Sequence, residues 1–324
     1  MSNREYDFPK GIKFLVTGGA GFIGSNIVEK ILSLGYKVTV LDNFSTGKEE
    51  NIEEFVDNPS FRLIRGDIRN IEDCQRSCEG IDYVLHQAAL GSVPRSIDDP
   101  KTSNDVNITG TLNMMIAARD NNVKRFVYAS SSAVYGDEPN LPKVEERVGK
   151  LLSPYAITKK VNELYAKNFN ELYGLPTIGL RYFNVFGKRQ DPDSVYAAVI
   201  PIFVKKLLND EAPVIYGDGM QSRDFTYIDN VVDANLKACL VKEEAFGEAF
   251  NIAYGGRTYL NDLYEKIARL LGKDIVPIYE IPRKGDIKHS NANIKKAVEL
   301  LDYVPNYDIN QGLEMAIEWY KNVL

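Results

Sequence analysis

Phe14-Leu15-Val16-Thr17-Gly18-Gly19-Ala20-Gly21-Phe22-Ile23-Gly24 is the stretch that decides how the chain is read. Apolar and β-branched residues over Ile12–Val16 predict a buried strand, and Gly24–Leu34 carries a helical pattern. Between them three glycines recur at every third position. Gly18 permits a tight turn, Gly21 lets the backbone approach a ligand, and Gly24 lets helix and strand pack closely. A helix that starts there offers unpaired N–H groups and the positive end of its dipole to a pyrophosphate. The next predicted strand, Lys37–Leu41, is followed by Asp42. A carboxylate at that point accepts the ribose hydroxyls of an adenosine and repels a 2′-phosphate, which favours NAD over NADP. Asp67-Ile68, after a third strand, stands where an adenine edge is read.

Outward from this unit the pattern repeats. Phe61–Arg65, Tyr83–His86 and Arg125–Ala129 read as strands, and Val106–Asn121 and Tyr155–Leu172 as amphipathic helices. Strands alternating with helices imply an α/β fold, a Rossmann-type doubly wound parallel sheet with ligands at the carboxyl ends of its strands. After Arg181 the regularity fades. Ile200–Leu208 reads as a helix, Tyr227–Leu240 as strand edge plus helix, and Phe250–Ile252 as a short strand. The expected organisation is a cofactor-binding domain over residues 1–182 with returns near 227–253, and a smaller mixed α/β substrate domain from 183–226 and 254–324.

Composition narrows the function classes. The chain has 324 residues, 44% hydrophobic and 26% charged, with a formal net charge of -6. That balance argues against nucleic acid as a partner but leaves room for a small anion bound by local cations. No apolar run approaches the ~20 residues of a membrane span, and Met1–Lys10 lacks the apolar core of a signal peptide. Three cysteines, Cys74, Cys78 and Cys239, fit a reducing cytosol better than a disulfide framework. With only His86 and His289 as histidines, no metal-ligand set is expected.

Tyr155-Ala-Ile-Thr-Lys159 places a phenol and an ammonium on one face of a helix. One positive charge at ~4 Å and an effective dielectric of ~20 is worth about 4 kcal/mol, or about 3 pK units. Lys159 and an oxidised nicotinamide therefore bring a phenol, ordinarily near ~10, towards the range where Tyr155 serves as general base. Ser130-Ser131-Ser132 follows the strand Arg125–Ala129 and puts hydroxyls into the same crevice. His86 and His289 have no evident catalytic partner and read as polar structural positions.

The chain resembles the extended short-chain dehydrogenases/reductases, in the nucleotide-sugar epimerase and dehydratase branch. The likeness rests on Thr17–Gly24, Leu41-Asp-Asn-Phe-Ser-Thr-Gly47, His86-Gln-Ala-Ala89, Asn107-Ile-Thr-Gly-Thr111, Tyr128–Gly136, the Tyr155/Lys159 pair and Arg181-Tyr-Phe-Asn-Val-Phe-Gly187. Leu90–Ile97 and Gly285-Asp-Ile-Lys-His-Ser290 are similar to the UDP-N-acetylglucosamine 4-epimerase type of that branch. The resemblance implies Tyr155 as base for a 4-OH, Lys159 on the nicotinamide ribose, and Ser131 on the proton path. It implies cofactor contacts from Phe22, Ile23, Asn43, Gln87, Ala88, Ala89, Asn107 and Tyr182 as well as the glycines, Asp42, Asp67 and Ile68, with Asn107 acting from behind the cofactor. For a UDP-hexose or UDP-N-acetylhexosamine it implies Ser92, Arg95, Ser132, Val199, Asn184 at the phosphates, Tyr216 stacked on uracil, Arg223 and Arg283 as diphosphate clamps, and Asp286 at a ribose hydroxyl. It also implies a homodimer, for which the two long helices allow a four-helix bundle.

Dehydratases and decarboxylases of the branch carry an acid just before Val-Tyr-Gly, and here Ser132-Ala133 precedes Val134-Tyr135-Gly136. Without that carboxylate elimination lacks its proton donor, which points to C4 epimerisation through a 4-keto sugar. Ser290 stands where glucose-restricted epimerases tend to carry a large residue. A small side chain leaves room for an acetamido group, since overpacking such a wall costs ~1–3 kcal/mol. UDP-GlcNAc/UDP-GalNAc is therefore expected, with UDP-Glc/UDP-Gal, a UDP-uronic acid and a 4,6-dehydratase reaction as alternatives. A non-catalytic NAD-sensing protein is the rival from another class.

Overall fold

The computed structural model describes residues 6–194, 198–282 and 288–324. Its centre is a seven-stranded sheet built from β1 (Lys13–Thr17), β2 (Lys37–Asp42), β3 (Phe61–Arg65), β4 (Tyr83–His86), β5 (Arg125–Ser131), β6 (Thr177–Tyr182) and the strand Ala249–Ile252. The order across the sheet is β3-β2-β1-β4-β5-β6 and then Ala249–Ile252, with every neighbouring pair parallel. The order reverses between β1 and β4, and that switch point opens the crevice at the strands' carboxyl ends.

Burial on both faces explains the continuous apolar strands. Phe14 and Val16 of β1 pack into one core with Val38, Val40, Leu85, Val127 and Leu180. Leu15 faces the other core with Val84, Phe126 and Tyr128. Helix α1 (Phe22–Ser33) and the helix Ile228–Ala238 cover the first face. Thr111–Asp120 and Pro154–Tyr173 contribute to the second. The latter begins at Ser153, whose side chain caps Ala156 N–H, has Pro154 in its first turn and stops at the left-handed Gly174.

The amphipathic stretch expected over 106–121 is not one regular helix. Asp105–Gly110 forms a π-helical turn, and the α-helix runs over Thr111–Asp120. Asn107 sits in this turn with its side chain drawn to the Leu90 backbone, and a Cβ on Gly110 would meet the Ile68 side chain at 2.5 Å. Beyond β6 the chain makes short two-stranded ladders, Thr226–Tyr227 with Val185–Phe186, Thr258–Tyr259 with Ser222–Arg223, and Ile278–Glu280 with Val214–Tyr216. The helices Val199–Leu208, Leu260–Leu271 and Ile309–Val323 surround them. Among the described residues no helix is long and apolar enough to cross a membrane.

Candidate active site

The switch point carries a cleft of about 1130 Å³. At its floor Gly18 has φ +66°, and a Cβ there would lie 2.8 Å from the Ala88 backbone. A Cβ on Gly24 would fall 2.1 Å from the Gly18 carbonyl oxygen, so α1 rests directly on the turn. Gly21 stands just ahead of α1, and no side chain caps that helix. The first-turn N–H groups therefore face the cleft with an anion-attracting dipole and no competing carboxylate. Asp42 ends β2, with one carboxylate oxygen accepting from Ala20 N–H at 2.9 Å and the other from Phe44 N–H at 2.8 Å. Burial raises its pKa and the backbone donors pull it back only in part. Its remaining lone pairs are available to ribose hydroxyls. Asp67 is gripped by Arg69 and Asn43, and that grip, Arg69 foremost, lowers its carboxyl to about 2.

Gly18, Gly21, Phe22, Ile23, Gly24, Asp42, Asn43, Asp67, Ile68, Gln87, Ala88, Ala89, Ser131, Ser132, Tyr155, Lys159, Tyr182 and Asn184 all line this one cleft. Tyr182 donates its hydroxyl to Gln87 at 3.1 Å, and Gln87 in turn donates to Asn235 at 2.9 Å. Asn107 does not line the cleft. It is fully buried behind the wall, where its amide accepts from Leu90 N–H and donates to Leu90 O and Thr158 Oγ1. It thus fixes the 87–91 segment rather than touching a ligand. His86 is buried with Nδ1 2.7 Å from Thr17 Oγ1 and Nε2 3.0 Å from Thr111 Oγ1. Burial, then the Lys159 charge, lower it to about 3, so its ring stays neutral and structural. His289 bonds Ser222 Oγ at 2.9 Å.

At the inner end Lys159 is buried and donates to Ala129 O at 2.8 Å, and burial lowers its pKa to about 8. The expected lowering of Tyr155 is absent from the protein alone. Burial holds the phenol above its ordinary value, and the hydrogen bond with Ser131 only reduces that rise. The ammonium sits 5.8 Å from the Tyr155 ring centroid with one N–H spent on a carbonyl, so its field does not outweigh dehydration. The start of the helix Pro154–Tyr173 is held by Ser96, whose hydroxyl accepts Tyr155 N–H at 3.0 Å.

A second cavity of about 510 Å³ adjoins the first through Asn184 and Val185. Val199, Tyr216 and Arg223 line it together with Gln221, Phe225, Lys206 and Leu260. Asn184 adopts φ +36° and donates to Asp224 O, which fastens the junction of the two cavities. Buried Asp224 accepts the N–H groups of Gly255 and Ala292 while burial raises its carboxyl to about 7, which ties the Arg223 segment to residues 255 and 292.

Three substrate residues expected from sequence line neither cavity. Ser92 and Arg95 lie just beyond the lining residues Leu90 and Gly91, where Ser92 Oγ accepts Arg95 N–H as the cap of the short helix Val93–Asp98. Ser290 is also outside both linings, beside the Arg223 strand, with its N–H on Ser222 O at 3.0 Å. Arg283 and Asp286 fall outside the described residues. Sequence reasoning misses Arg189, Lys48 and Asp191, which line the first cleft. Arg189, at φ +65°, bonds Glu29 at 2.6 Å and also Glu54, and Lys48 pairs with Asp191 at 3.0 Å. These ion pairs join α1 and the segment after β2 to the one after β6. Their signal is a pairing across more than a hundred residues, which no local motif carries. Gln221 and Phe225 flank Arg223, and only that proximity could have marked them.

The chain is similar to several known proteins along nearly its whole length. A protein of Methanocaldococcus jannaschii described as a putative UDP-glucose 4-epimerase is 41% identical over 310 residues, 95% of this chain and 98% of that protein. The solved UDP-N-acetylglucosamine 4-epimerase of Methanobrevibacter ruminantium, in complex with UDP-N-acetylmuramic acid, superposes with a TM-score of 0.93 at 42% identity, covering 98% of this chain and all of that one. The UDP-glucuronic acid 4-epimerase of Bacillus cereus, solved with UDP-glucuronic acid and NAD, gives 0.89 at 33% identity, covering 97% and 100%. The glycine cradle that a Cβ would fill, the uncapped helix and the Asp42 carboxylate fit NAD, the cofactor with which the Bacillus cereus enzyme was solved. With residues 14–253 matching its pattern, the chain belongs to the NAD dependent epimerase/dehydratase family.

Proposed function

We propose that this chain epimerises C4 of a UDP-hexose through a 4-keto sugar, with UDP-GlcNAc/UDP-GalNAc as its preferred pair and UDP-Glc/UDP-Gal also handled. The observation that carries this is the inner end of the cleft. There Tyr155, Lys159, Ser131 and Ser132 line the wall, and no carboxylate lines it between Ala129 and Lys159. The lining carboxylates belong to other segments, such as Asp42, Asp67 and Asp191. Proton transfer at one hydroxyl is thus provided for, whereas loss of water is not. When bound, NAD supplies a hydride acceptor and donor and a second positive charge.

Tyr155 takes the proton of the sugar 4-OH, with Ser131 sharing the path and Lys159 stabilising the phenolate. The second cavity holds UDP, with Tyr216 on the base and Arg223, joined by Arg283, on the diphosphate. A firmly held UDP leaves the keto sugar free to turn, so that the reverse proton and hydride transfers reach the opposite face. Ser290 lines neither cavity but pairs with Ser222 beside Arg223, and its small side chain is proposed to leave room for the acetamido group once the sugar is bound, in keeping with the 42% identity to an N-acetylglucosamine epimerase. UDP-glucuronate is the second reading, favoured by the likeness to the Bacillus cereus enzyme. Parallel incubation with UDP-GlcNAc, UDP-Glc and UDP-glucuronate, read by NMR, should show the highest kcat/KM for UDP-GlcNAc. Ser290→Tyr should depress that substrate by roughly 10-fold or more, the equivalent of ~1–3 kcal/mol of overpacking, and spare UDP-Glc. Equal loss on both would remove Ser290 from the account.

We further propose a cytosolic homodimer. Ile157, Leu164 and Leu172 form one stripe on the helix Pro154–Tyr173 and are 48%, 60% and 66% exposed. A run of that kind on a helix already anchored by its opposite face suits a second copy of the same helix. Leu164→Asp should convert the dimer to monomer in light scattering. An unchanged mass for this variant would place any interface elsewhere.

A further inference from the structure

The helix Pro154–Tyr173 carries a third polar residue in the Tyr155/Lys159 stripe, Glu163, again four positions on. Two of the three bond directly to the end of β5. Lys159 donates to Ala129 O at 2.8 Å and Ser130 Oγ donates to Glu163 Oε1 at 2.7 Å, while Ser131, the next residue, lies near enough to Tyr155 to temper the rise of its pKa. The strand end is therefore laced to the helix Pro154–Tyr173 at two consecutive positions, and Ser131 follows them. Glu163 is not a lining residue of the cleft, so it touches no ligand.

Glu163 is held from the neighbouring strand. Arg181 is the ladder partner of Ser130 across β5 and β6. Its Nε donates to Oε1 at 2.7 Å and Nη2 to Oε2 at 2.9 Å, a bidentate grip, and Lys160 adds a bond at 3.1 Å. The two side chains are 4% and 6% exposed. Arg181 Nη1 also donates to Tyr135 Oη and Glu145 O, both at 3.0 Å, and Tyr135 donates to Asn251 at 2.6 Å. A buried ion pair of this kind adds little net stability over an apolar pair of equal volume, because desolvation consumes the Coulomb gain. What it does provide is a fixed geometry.

We propose that Glu163 and Arg181 are positioning residues of the reaction, holding the end of β5 against the catalytic helix through Ser130 so that Ser131 meets Tyr155 at proton-transfer distance. This rests on Tyr155 being the base. It also separates the three serines, since Ser130 is committed to Glu163 and Ser131 is left to the phenol. In glutamate form the carboxyl has four acceptor sites for Ser130, Arg181 and Lys160. The neutral amide introduced by Glu163→Gln would offer fewer and would strand the Arg181 charge.

The test compares wild type, Tyr155→Phe, Ser130→Ala and the double variant Glu163→Leu/Arg181→Met. Ser130→Ala cuts only the tether and leaves the ion pair whole. The double variant removes both charges at nearly constant volume. Steady-state kinetics across pH, at a temperature where each protein is shown folded by circular dichroism, is the readout. Ser130→Ala and the double variant should lose about 10- to 100-fold in kcat with KM within about 3-fold, and the acid limb of the kcat profile should move upward as Tyr155 loses its Ser131 partner. If the double variant does not fold, Ser130→Ala decides alone. An unchanged kcat in folded Ser130→Ala, or a lowered kcat with an unmoved pH profile, overturns the proposal. Tyr155→Phe keeps the two readings apart: if it retains turnover the base assignment fails, and if only it loses turnover the positioning role fails.

Discussion

Tyr155→Phe is expected to lower kcat by roughly 10²–10⁴-fold, the range of a positioned general acid–base, while the purified protein keeps its NAD. The substitution removes one oxygen from the cleft's inner end and little else. The ring volume stays, Ser153 still caps the helix, and the bond from the residue 155 N–H to Ser96 is a backbone bond that the change does not touch. The glycine turn, Asp42 and the first turn of α1 lie at the other end of the same cleft, so cofactor content should be unchanged. Turnover is measured by the rate of C4 inversion, and NAD by its absorbance after release from denatured protein. Near-normal turnover would remove Tyr155 from the mechanism. Loss of NAD along with turnover would show a positional rather than a chemical role.

Gly24→Ala should be the most damaging single methyl in the turn from Gly18 to Gly24. Its Cβ would stand 2.1 Å from the Gly18 carbonyl oxygen and 2.8 Å from both Gly18 C and Gly19 Cα. All three atoms belong to the backbone of the glycine turn, so no flexible side chain can yield. Overpacking ordinarily costs ~1–3 kcal/mol and occasionally more, and an overlap this deep with main chain belongs at or above the upper end. The variant should melt well below wild type and come out of purification without NAD. Gly21→Ala is the control. Its Cβ would lie 3.2 Å from the same oxygen, tight but not overlapping. It should keep most of the melting temperature and lose affinity for the cofactor, because the methyl stands where the helix start faces the cleft. A wild-type melt for Gly24→Ala would contradict the packing described for α1.

The parts of the site carried by short motifs are legible in the sequence. Gly18, Gly21, Gly24 and Asp42 belong to one strand–turn–helix–strand unit, so periodicity and glycine spacing are enough to put them together. Tyr155, Lys159 and Ser131 follow because helix period and strand end each constrain a side chain's direction. What periodicity does not supply is pairing at a distance. Strand β6 escapes it because Thr177–Tyr182 contains Gly179 and Arg181, and the buried Arg181 is satisfied by distant partners, Glu163, Tyr135 and Glu145. The π turn at Asp105–Gly110 holds Asn107 against the Leu90 backbone, a contact that apolar spacing does not register. Ser92 also caps the helix Val93–Asp98, a role that the resemblance does not carry. The Tyr155 phenol shows the same limit in energetic form, for a charge-to-phenol distance says nothing of the dehydration that opposes it.

The most direct test of C4 epimerisation is ¹H NMR of the NAD-loaded protein with a single gluco-configured UDP-sugar, alongside mass spectrometry of the product. The account predicts a galacto-configured UDP-sugar of unchanged mass, formed without added cofactor and approaching the same mixture from either side. A product lighter by one water, or a sugar whose C4 configuration does not change, would contradict it.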